Sequence, residues 1–339
     1  KASSLYSADG GCEMKVGKSY GGGKNAPIDG EVEMVADCAH GVEEMFGGSE
    51  NADVDNDINL VITNGSTLRR VFGGNNTSGA INGSITVTIK ESGCEPIRIG
   101  ELYLGVYLAP YSVYGYEMEG DSYKTIEEQD EHGNTIYSRI PLEAPQAGVT
   151  PHKDPRIYVI SATSIGNIYG GGYKAKLVGN PHINVNMEPG QVVLTQTLKE
   201  NTEDQYIYKD AMGAVYDEYT EEGEGDSKKY IATLNLGEIG NIYGGGNMAD
   251  IVGDTHVEIG SGKWHNDNDV LETEDADGKK WTYSGCTWTC GTTTSDTAPN
   301  PARYAANITG NVYGGGNQAD VTGNTYVDIC AYEDDDTIS

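Results

Sequence analysis

Four acidic residues near the start of the chain have a spacing that would suit a bound cation. Asp29 and Asp55 are 26 residues apart, as are Glu31 and Asp57. A structural repeat of that length would place the carboxylates of each pair side by side, where like charges repel unless a cation lies between them. Calcium accepts about six to eight oxygen ligands in a flexible geometry. The spacing therefore predicts a calcium site, with a solvated acidic face as the alternative, at Asp29, Glu31, Asp55 and Asp57.

All three tryptophans lie in one polar segment near the C-terminal end, at Trp264, Trp281 and Trp288. Exposed aromatic rings among polar residues are typical of carbohydrate and protein recognition, because a ring offers a large contact area at low entropic cost. We therefore predict that these residues bind a ligand, either a carbohydrate or a surface protein. In the alternative interpretation they only pack this segment against the rest of the chain.

The cysteines also suggest pairs. Cys12 and Cys38 are 26 residues apart, so the same repeat would bring them within the distance that a disulfide allows. Cys286 and Cys290 form a second candidate pair. Reduced, buried cysteines are the alternative for all of them.

The composition argues against two classes of partner. The 339 residues include 52 Asp and Glu but only 22 Lys and Arg, which gives a net charge of −30. Nucleic acids and anionic membranes both select basic surfaces, so we expect neither as a partner. No apolar run approaches the roughly 20 residues of a membrane-spanning helix, so no such segment is predicted.

One phrase recurs along the chain. Residues 240–259 read GNIYGGGNMADIVGDTHVEI, and residues 310–329 read GNVYGGGNQADVTGNTYVDI. Aligned on their aromatic residue, seven copies share further residues at matched offsets, and six of them have two or three glycines after the aromatic residue. The seven aromatic residues are Tyr20, Phe46, Phe72, Tyr103, Tyr169, Tyr243 and Tyr313.

Each copy predicts a strand, a tight turn and a second strand. The residues after the glycines alternate as in a half-buried strand, and glycine permits the positive φ of a sharp turn. The first copies are 26 to 31 residues apart, which suits one coil of a stack with a rise of about 4.8 Å. We therefore predict a single all-β domain, a right-handed parallel β-helix (β-solenoid) of about seven coils with its aromatic residues in one column. A propeller of short hairpins is the alternative fold. His182 and His256 lie at the same distance after the aromatic residue of their repeats, so their side chains should stack on the surface of the β-helix.

Three long insertions separate the later copies. They cover about residues 117–157, 188–236 and 260–306. We place each between the last strand of one coil and the first strand of the next, so that all three leave from one side. They contain all three tryptophans and many tyrosines. Because binding residues concentrate on loops of a rigid scaffold, any ligand is expected to contact the insertions.

The repeated sequence IGNIYGGGNxAxVxGxTxVxI resembles the repeat of large surface β-helix proteins of gut Gram-negative bacteria. It is more distantly similar to the β-helix passengers of autotransporter adhesins and IgA-protease-type secreted proteins. The resemblance covers the seven repeats, about half of the chain, and none of the insertions. It implies a parallel β-helix that is extracellular or at the cell surface, associated with the outer membrane, and it implies no catalytic residue.

Two classes of function remain. The first is a non-catalytic adhesion or binding protein that recognises a glycan or a protein through its insertions. The second is an enzyme similar to the polysaccharide lyases, because parallel β-helices also carry lyase sites in which an Arg or Lys base lies beside calcium-binding acids. Arg69 and Arg70 are the candidate bases, although a net charge of −30 would repel a polyanionic substrate. The hydrolase motifs Gly-x-Ser-x-Gly and His-Glu-x-x-His are missing, so no catalytic residue is assigned.

Overall fold

The computed structural model describes most of the repeats and parts of the insertions. The described residues are 16–37, 41–63, 67–91, 96–120, 122–129, 135–137, 139–141, 149–151, 153–189, 191–199, 205–209, 215–223, 225, 228–233, 236–260, 263–265, 271–274, 279–284, 287–295 and 306–329. These residues form strands and connections without an α-helix, so the predicted all-β class is confirmed. In this part of the chain no helix has the length and apolar character needed to cross a membrane.

Three parallel sheets are built from the repeats. The strands of the first sheet are, in order, Val16–Tyr20, Val42–Phe46, Thr67–Phe72, Arg98–Tyr103, Ser164–Tyr169, Glu238–Tyr243 and Val312–Tyr313. Those of the second are Val32–Ala36, Ile58–Ile62, Ile85–Lys90, Arg156–Ser161, His182–Val185, Thr255–Ile259 and Thr325–Ile329. The third sheet is short and consists of Tyr111–Ser112, Leu177–Val178 and Ile251–Val252. Each repeat contributes one strand to the first sheet and one to the second.

The insertions form antiparallel sheets. The first insertion has a four-stranded sheet and a hairpin, with strands Tyr114–Glu119, Ser122–Tyr123, Thr125–Gln129, Thr135–Tyr137, Arg139–Pro141 and Val149–Pro151. The second has a five-stranded sheet of Gln191–Leu198, Tyr206–Lys209, Val215–Tyr216, Thr220–Glu222 and Lys229–Thr233. The third has a five-stranded sheet of Lys263–His265, Leu271–Glu274, Lys280–Ser284, Thr287–Cys290 and Thr293–Ser295.

The position of the first insertion differs from the prediction. The second and third insertions do lie between a strand of the second sheet and the next strand of the first sheet. The first instead follows Tyr111–Ser112 and ends before Arg156–Ser161, so it lies within a repeat. The expectation of one shared topological position was therefore wrong. The repeat at Tyr103 is degenerate, so its last strand, Arg156–Ser161, was not recognised as part of it.

Alternation along the strands produces one aliphatic core. Ile58, Leu60 and Ile62 of a single strand are at most 1% exposed, whereas Asn59 and Val61 between them are half-buried. The buried aliphatic side chains of the three parallel sheets belong to one continuous cluster. Burial of such side chains is the main force that stabilises the stack of repeats.

The predicted aromatic column is present. Tyr243 and Tyr313 are directly paired on neighbouring strands, as the alignment of the repeats requires. Along the whole column the ring centroids are 4.7 to 5.1 Å apart and adjacent rings are within 15° of parallel. The buried rings form a cluster of their own, separate from the aliphatic core.

Glycine serves a different purpose in these repeats from the one predicted. A Cβ atom on Gly47, directly after Phe46, would lie 2.2 Å from the carbonyl oxygen of Gly73 in the next repeat. The glycines after the aromatic residues therefore allow close approach of neighbouring backbones. Positive φ occurs further along the repeat, at Gly179 (142°) and Gly253 (145°), where the chain turns into the second sheet.

Candidate functional site

The predicted calcium ligands come together in pairs. The pairings Ile28 with Val54 and Val32 with Ile58 bring Asp29 beside Asp55 and Glu31 beside Asp57. Asp55 Oδ1 accepts a hydrogen bond from Asn82 Nδ2 at 2.7 Å, and Asp57 Oδ1 accepts one from the backbone N–H of Ser84 at 2.8 Å. Among the described residues, no group of three or more His, Cys, Asp or Glu side chains is arranged to hold a metal ion. Calcium at the four carboxylates stays a prediction.

Acidic and amide side chains have a structural task that recurs along the repeats. A side-chain oxygen of one repeat accepts the hydrogen bond of a backbone N–H in the next repeat, which would otherwise lack a partner. The accepting and donating residues are Asp53 and Ala80, Asp154 and Asn180, Asn180 and Asp254, Asp250 and Asp320, and Asp254 and Asn324. This use accounts for four of the repeat aspartates without a ligand.

The candidate lyase bases contact a buried carboxylate. Glu44 is 3% exposed, and its oxygens lie 3.2 Å from Lys18 Nζ and 2.6 Å from Arg69 Nη2 and also contact Arg70. Burial alone would raise the pKa of Glu44, but the hydrogen bonds and charges of Arg70 and Lys18 hold it below its ordinary value. Burial likewise disfavours the charged form of Arg70, but the bond to Glu44 raises its pKa above the usual one. The Arg70 guanidinium is therefore engaged in an ion pair with Glu44 inside the repeats.

The histidines stack as expected. The rings of His182 and His256 are 4.3 Å apart and 8° from parallel, and Tyr326 continues the column at 4.8 Å. The expectation that both face solvent was wrong, because His182 is only 3% exposed. Arg156, its neighbour in register, is buried to the same degree, so this part of the second sheet is covered.

Two of the three tryptophans are buried. Trp281 is 9% exposed and Trp288 is 4% exposed, and the Trp288 ring lies 5.0 Å from that of Tyr283. The expectation that they are exposed was therefore wrong, because the antiparallel sheet of the third insertion buries their side chains. Trp264 lies on the strand Lys263–His265, opposite Glu272, and its side chain lies outside the described part. Binding by the three tryptophans itself stays a prediction.

Most of the cysteines lie outside the described residues. This applies to both members of the first predicted pair, Cys12 and Cys38, and to Cys286 of the second. Cys290 is half-buried at the end of the strand Thr287–Cys290.

The second insertion gathers its aromatic side chains on one face of its sheet. Residues directly opposite one another on antiparallel strands share a face. Gln196 is opposite Tyr208, Tyr208 is opposite Tyr216, and Leu194 is opposite Tyr230. We call this surface the tyrosine face and define it by Gln196, Leu198, Tyr206, Tyr208, Tyr216, Tyr219, Glu221, Lys228 and Tyr230.

The rings at the centre of the tyrosine face contact one another at an angle. The Tyr208 centroid lies 4.0 Å from that of Tyr219 and 4.7 Å from that of Tyr230, with the planes tilted by 38° and 53°. Beneath them, Val192, Leu194 and Ala232 form a small buried cluster. The tyrosines therefore cover the apolar centre of this sheet and leave their outer edges accessible.

Hydrogen bonds fix the central rings. Gln196 Nε2 donates to Tyr208 Oη at 3.2 Å, and Tyr230 Oη donates to Gln196 Oε1 at 3.3 Å. The hydrogen bond with Tyr208 raises the pKa of Tyr219 to about 12, so its hydroxyl keeps its proton at any physiological pH. The two hydrogen bonds of Gln196 hold Tyr208 and Tyr230 in place on the tyrosine face.

The edge of the tyrosine face is exposed. Tyr206 is 51% exposed and Leu198, directly opposite it, is 47% exposed. An exposed aromatic and aliphatic pair beside ordered tyrosines is the kind of surface on which a sugar ring or a peptide side chain can stack. The sequence signal was the alternation Tyr206-Ile-Tyr208, which puts two tyrosines on one face of a strand. The tryptophans of the third insertion were predicted as the binding residues instead.

A pocket of about 500 Å³ lies where the second insertion leaves and rejoins the repeats. Its charged lining consists of Glu91, Arg98, Glu188 and Glu238. Glu91 Oε2 accepts hydrogen bonds from the backbone N–H groups of Ile97 and Thr163, both at 2.7 Å, so this carboxylate links two repeats. Arg98 is exposed.

No family model matches the chain, and neither a curated protein nor a solved structure matches it.

Proposed function

We propose that this protein is a non-catalytic binding protein, extracellular or at the cell surface, that recognises a glycan or a surface protein through its insertions. The tyrosine face of the second insertion carries the proposal. It combines an exposed edge, Tyr206 with Leu198, and a set of rings held in place by Gln196. The extracellular location rests on the resemblance of the repeats to bacterial surface proteins.

In this proposal the seven repeats wind as a right-handed parallel β-helix that acts as a scaffold. The alternation of first-sheet and second-sheet strands along the chain supports such winding, as does pairing in register from one repeat to the next. The right hand follows from the general preference of parallel crossovers. Several polar side chains of the repeats accept hydrogen bonds from neighbouring repeats, and the proposal places the ligand on the insertions.

A binding screen tests the proposal. The protein is applied to an array of glycans and to candidate surface proteins, with and without calcium, and the ligand found is then titrated against variants. We expect Tyr206→Ala to weaken binding about ten-fold or more, as the loss of a central aromatic contact does in other interfaces.

Tyr283→Ala is the matched control, because Tyr283 is a partly exposed tyrosine in a different insertion. Equal binding by wild type and Tyr206→Ala would reject the tyrosine face as the site. If substitution of Trp264 abolished ligand binding instead, the third insertion would be the binding site.

A lyase-like enzyme is the second candidate, and the pocket beside the second insertion is the observation that favours it. Its lining brings Arg98 together with the carboxylates Glu91, Glu188 and Glu238. An assay for unsaturated products from pectic polysaccharides, run with wild type and Arg98→Ala, tests it. Activity that disappears in Arg98→Ala would establish the enzyme, and an inactive wild type would reject it.

A further inference from the structure

The pocket where the second insertion leaves and rejoins the repeats keeps opposite charges apart. Arg98, Ser164 and Glu238 line it and are in register on three neighbouring parallel strands. Because such strands are about 4.8 Å apart, the backbones of Arg98 and Glu238 are about 10 Å apart, with Ser164 midway between them. Backbone hydrogen bonds in the sheet fix this spacing. A cation therefore lies at one end of the pocket and a carboxylate at the other.

The two remaining carboxylates of the pocket belong to different ends. Glu91 directly follows the strand Ile85–Lys90, and Glu188 follows the strand His182–Val185. These two strands lie on opposite sides of Arg156–Ser161 in the second sheet. Glu91 is therefore at the end that carries Arg98, and Glu188 is at the end that carries Glu238.

Hydrogen bonds from its own chain engage the carboxylate of Glu91. Its Oε2 atom accepts the backbone N–H groups of Ile97 and Thr163, both at 2.7 Å, and the Thr163 hydroxyl at 2.9 Å. Such donors stabilise the negative charge. Glu91 therefore competes only weakly with a ligand for the guanidinium of Arg98.

The other charges of the pocket are accessible. Arg98, Glu188 and Glu238 are all exposed, and in the described part of the chain no ion pair joins Arg98 to either carboxylate. Arg70, in contrast, is paired with the buried Glu44. One guanidinium at one end and two carboxylates at the other can therefore contact a ligand that carries both kinds of charge.

We propose that this pocket binds a short peptide with free ends, its carboxylate at Arg98 and its ammonium at Glu188 and Glu238. An extended peptide advances about 3.3–3.6 Å per residue, so three residues span the distance of about 10 Å. Arginine suits a carboxylate because its N–H groups can donate in pairs. Ser164, half-buried between the two ends, offers a hydroxyl to the peptide groups. The volume of about 500 Å³ is typical of a small-molecule site.

Glycine peptides with free and blocked ends test the proposal. Triglycine, N-acetyl-triglycine and triglycine amide are titrated calorimetrically against the full chain at low salt. We expect triglycine to bind about five-fold or more tightly than either blocked form, because each block removes one charge-assisted contact. The net charge of −30 alone would instead favour triglycine amide, the cationic probe. That order of affinity, or no binding of triglycine, would overturn the proposal.

The length of the peptide is a second readout. Diglycine is too short to reach both ends of the pocket, so it should bind less tightly than triglycine. Equal affinity for the two peptides would mean that only one end is recognised, which contradicts the proposal.

Two variants assign the ends of the peptide. Arg98→Gln should abolish the preference for triglycine over triglycine amide. Glu238→Gln should reduce the preference over N-acetyl-triglycine without abolishing it, because Glu188 remains. The matched controls are Lys176→Gln and Glu43→Gln, since both residues are exposed, lie outside the pocket and change the net charge equally. A control that alters the preference as much as its matched variant would overturn the proposal.

Tyr206→Ala separates this inference from the proposed function. Tyr206 does not line the pocket, so triglycine should bind this variant as tightly as it binds the wild type. Loss of triglycine binding in Tyr206→Ala would place the peptide on the tyrosine face and overturn this inference. If a glycan or surface protein binds the wild type and triglycine does not, the proposed function stands and only this inference fails.

Discussion

Aromatic residues from different strands contact one another in both the repeats and the second insertion, with opposite consequences. Tyr103 and Tyr169 in the repeats have centroids 4.7 Å apart, planes within 8° and at most 4% exposure. Tyr208 and Tyr230 in the insertion are also 4.7 Å apart, but their planes are tilted by 53° and they are half-buried. Parallel strands in register stack like residues face to face, which closes their surfaces to a ligand. Antiparallel strands bring different positions together and leave ring edges and faces open.

The largest effect is expected when the closed column is broken. Phe72 is fully buried between the rings of Phe46 and Tyr103. Phe72→Ala should lower the free energy of unfolding by about 3–5 kcal/mol, because it removes a buried ring and leaves a cavity. Urea denaturation measures it. Tyr313 lies at the end of the same column and is 45% exposed, so Tyr313→Ala should lower the free energy of unfolding clearly less. Equal losses in the two variants would mean that the stabilisation by stacking does not depend on burial.

A smaller loss of stability is expected when the buried Trp288 of the third insertion is replaced. Trp288→Ala should cost about 3 kcal/mol, at the low end for a buried ring, because only a small sheet surrounds it. Hydrogen exchange of residues 280–295 should rise while the repeats stay protected. Tyr283→Ala, which removes only the ring that contacts Trp288, is the control. An unchanged exchange pattern in Trp288→Ala would make this tryptophan available for recognition, as the sequence first indicated.

The next largest effect on stability is expected from the ion pairs of Glu44 in the repeats. Glu44→Gln leaves its cationic neighbours without their carboxylate and should cost about 1–3 kcal/mol at pH 7. Because the pKa of Glu44 is lowered on folding, its stabilisation is complete above the ordinary carboxyl pKa and is lost as the pH falls below it. The cost of Glu44→Gln should therefore shrink in acid. Glu43→Gln, the exposed neighbour, is the control, and a cost that does not vary between pH 7 and pH 3 would contradict this assignment.

The repeats could be predicted from the sequence because equivalent positions of different repeats can be aligned with one another. The pairing of Tyr243 with Tyr313, and of Asp29 with Asp55, follows from counting residues between equivalent positions. The same count would have found Glu44 between Lys18 and Arg70, because all three precede their aromatic residue by two positions. That contact was missed although its signal was present.

The insertions offer no such internal comparison. Gln196 meets Tyr208 and Leu194 meets Tyr230 through antiparallel pairings across connections of different lengths. The many tyrosines and tryptophans of the insertions indicated a role for aromatic residues in binding. Their positions in the sequence did not indicate which of these side chains are buried. Trp288 was expected at the surface because its sequence neighbours are polar, yet in a strand those neighbours point to the opposite face.

The calcium prediction concerns a weak effect on the repeats. Asp55 and Asp57 already accept hydrogen bonds, so an ion shared with Asp29 and Glu31 should bind only at about millimolar concentrations. Roughly 5 mM calcium would then stabilise the fold by about 1 kcal/mol. Thermal unfolding in calcium and in chelator measures it, with Asp29→Asn removing the response. Identical melting in both buffers would leave these carboxylates as a solvated and hydrogen-bonded face.

The smallest effect on stability is expected at the most exposed ring of the tyrosine face. Tyr206 is 51% exposed and lies outside the buried cluster beneath that face. Tyr206→Ala should therefore change the free energy of unfolding by no more than about 0.5 kcal/mol, as is usual for surface positions. The same substitution is expected to weaken ligand binding strongly, so stability and binding should separate at this residue as they cannot at Phe72. Denaturation and titration of one preparation measure both quantities. A Tyr206→Ala protein that loses stability in proportion to binding would make this ring part of the insertion's core, and the contrast between closed and open aromatic surfaces would no longer hold.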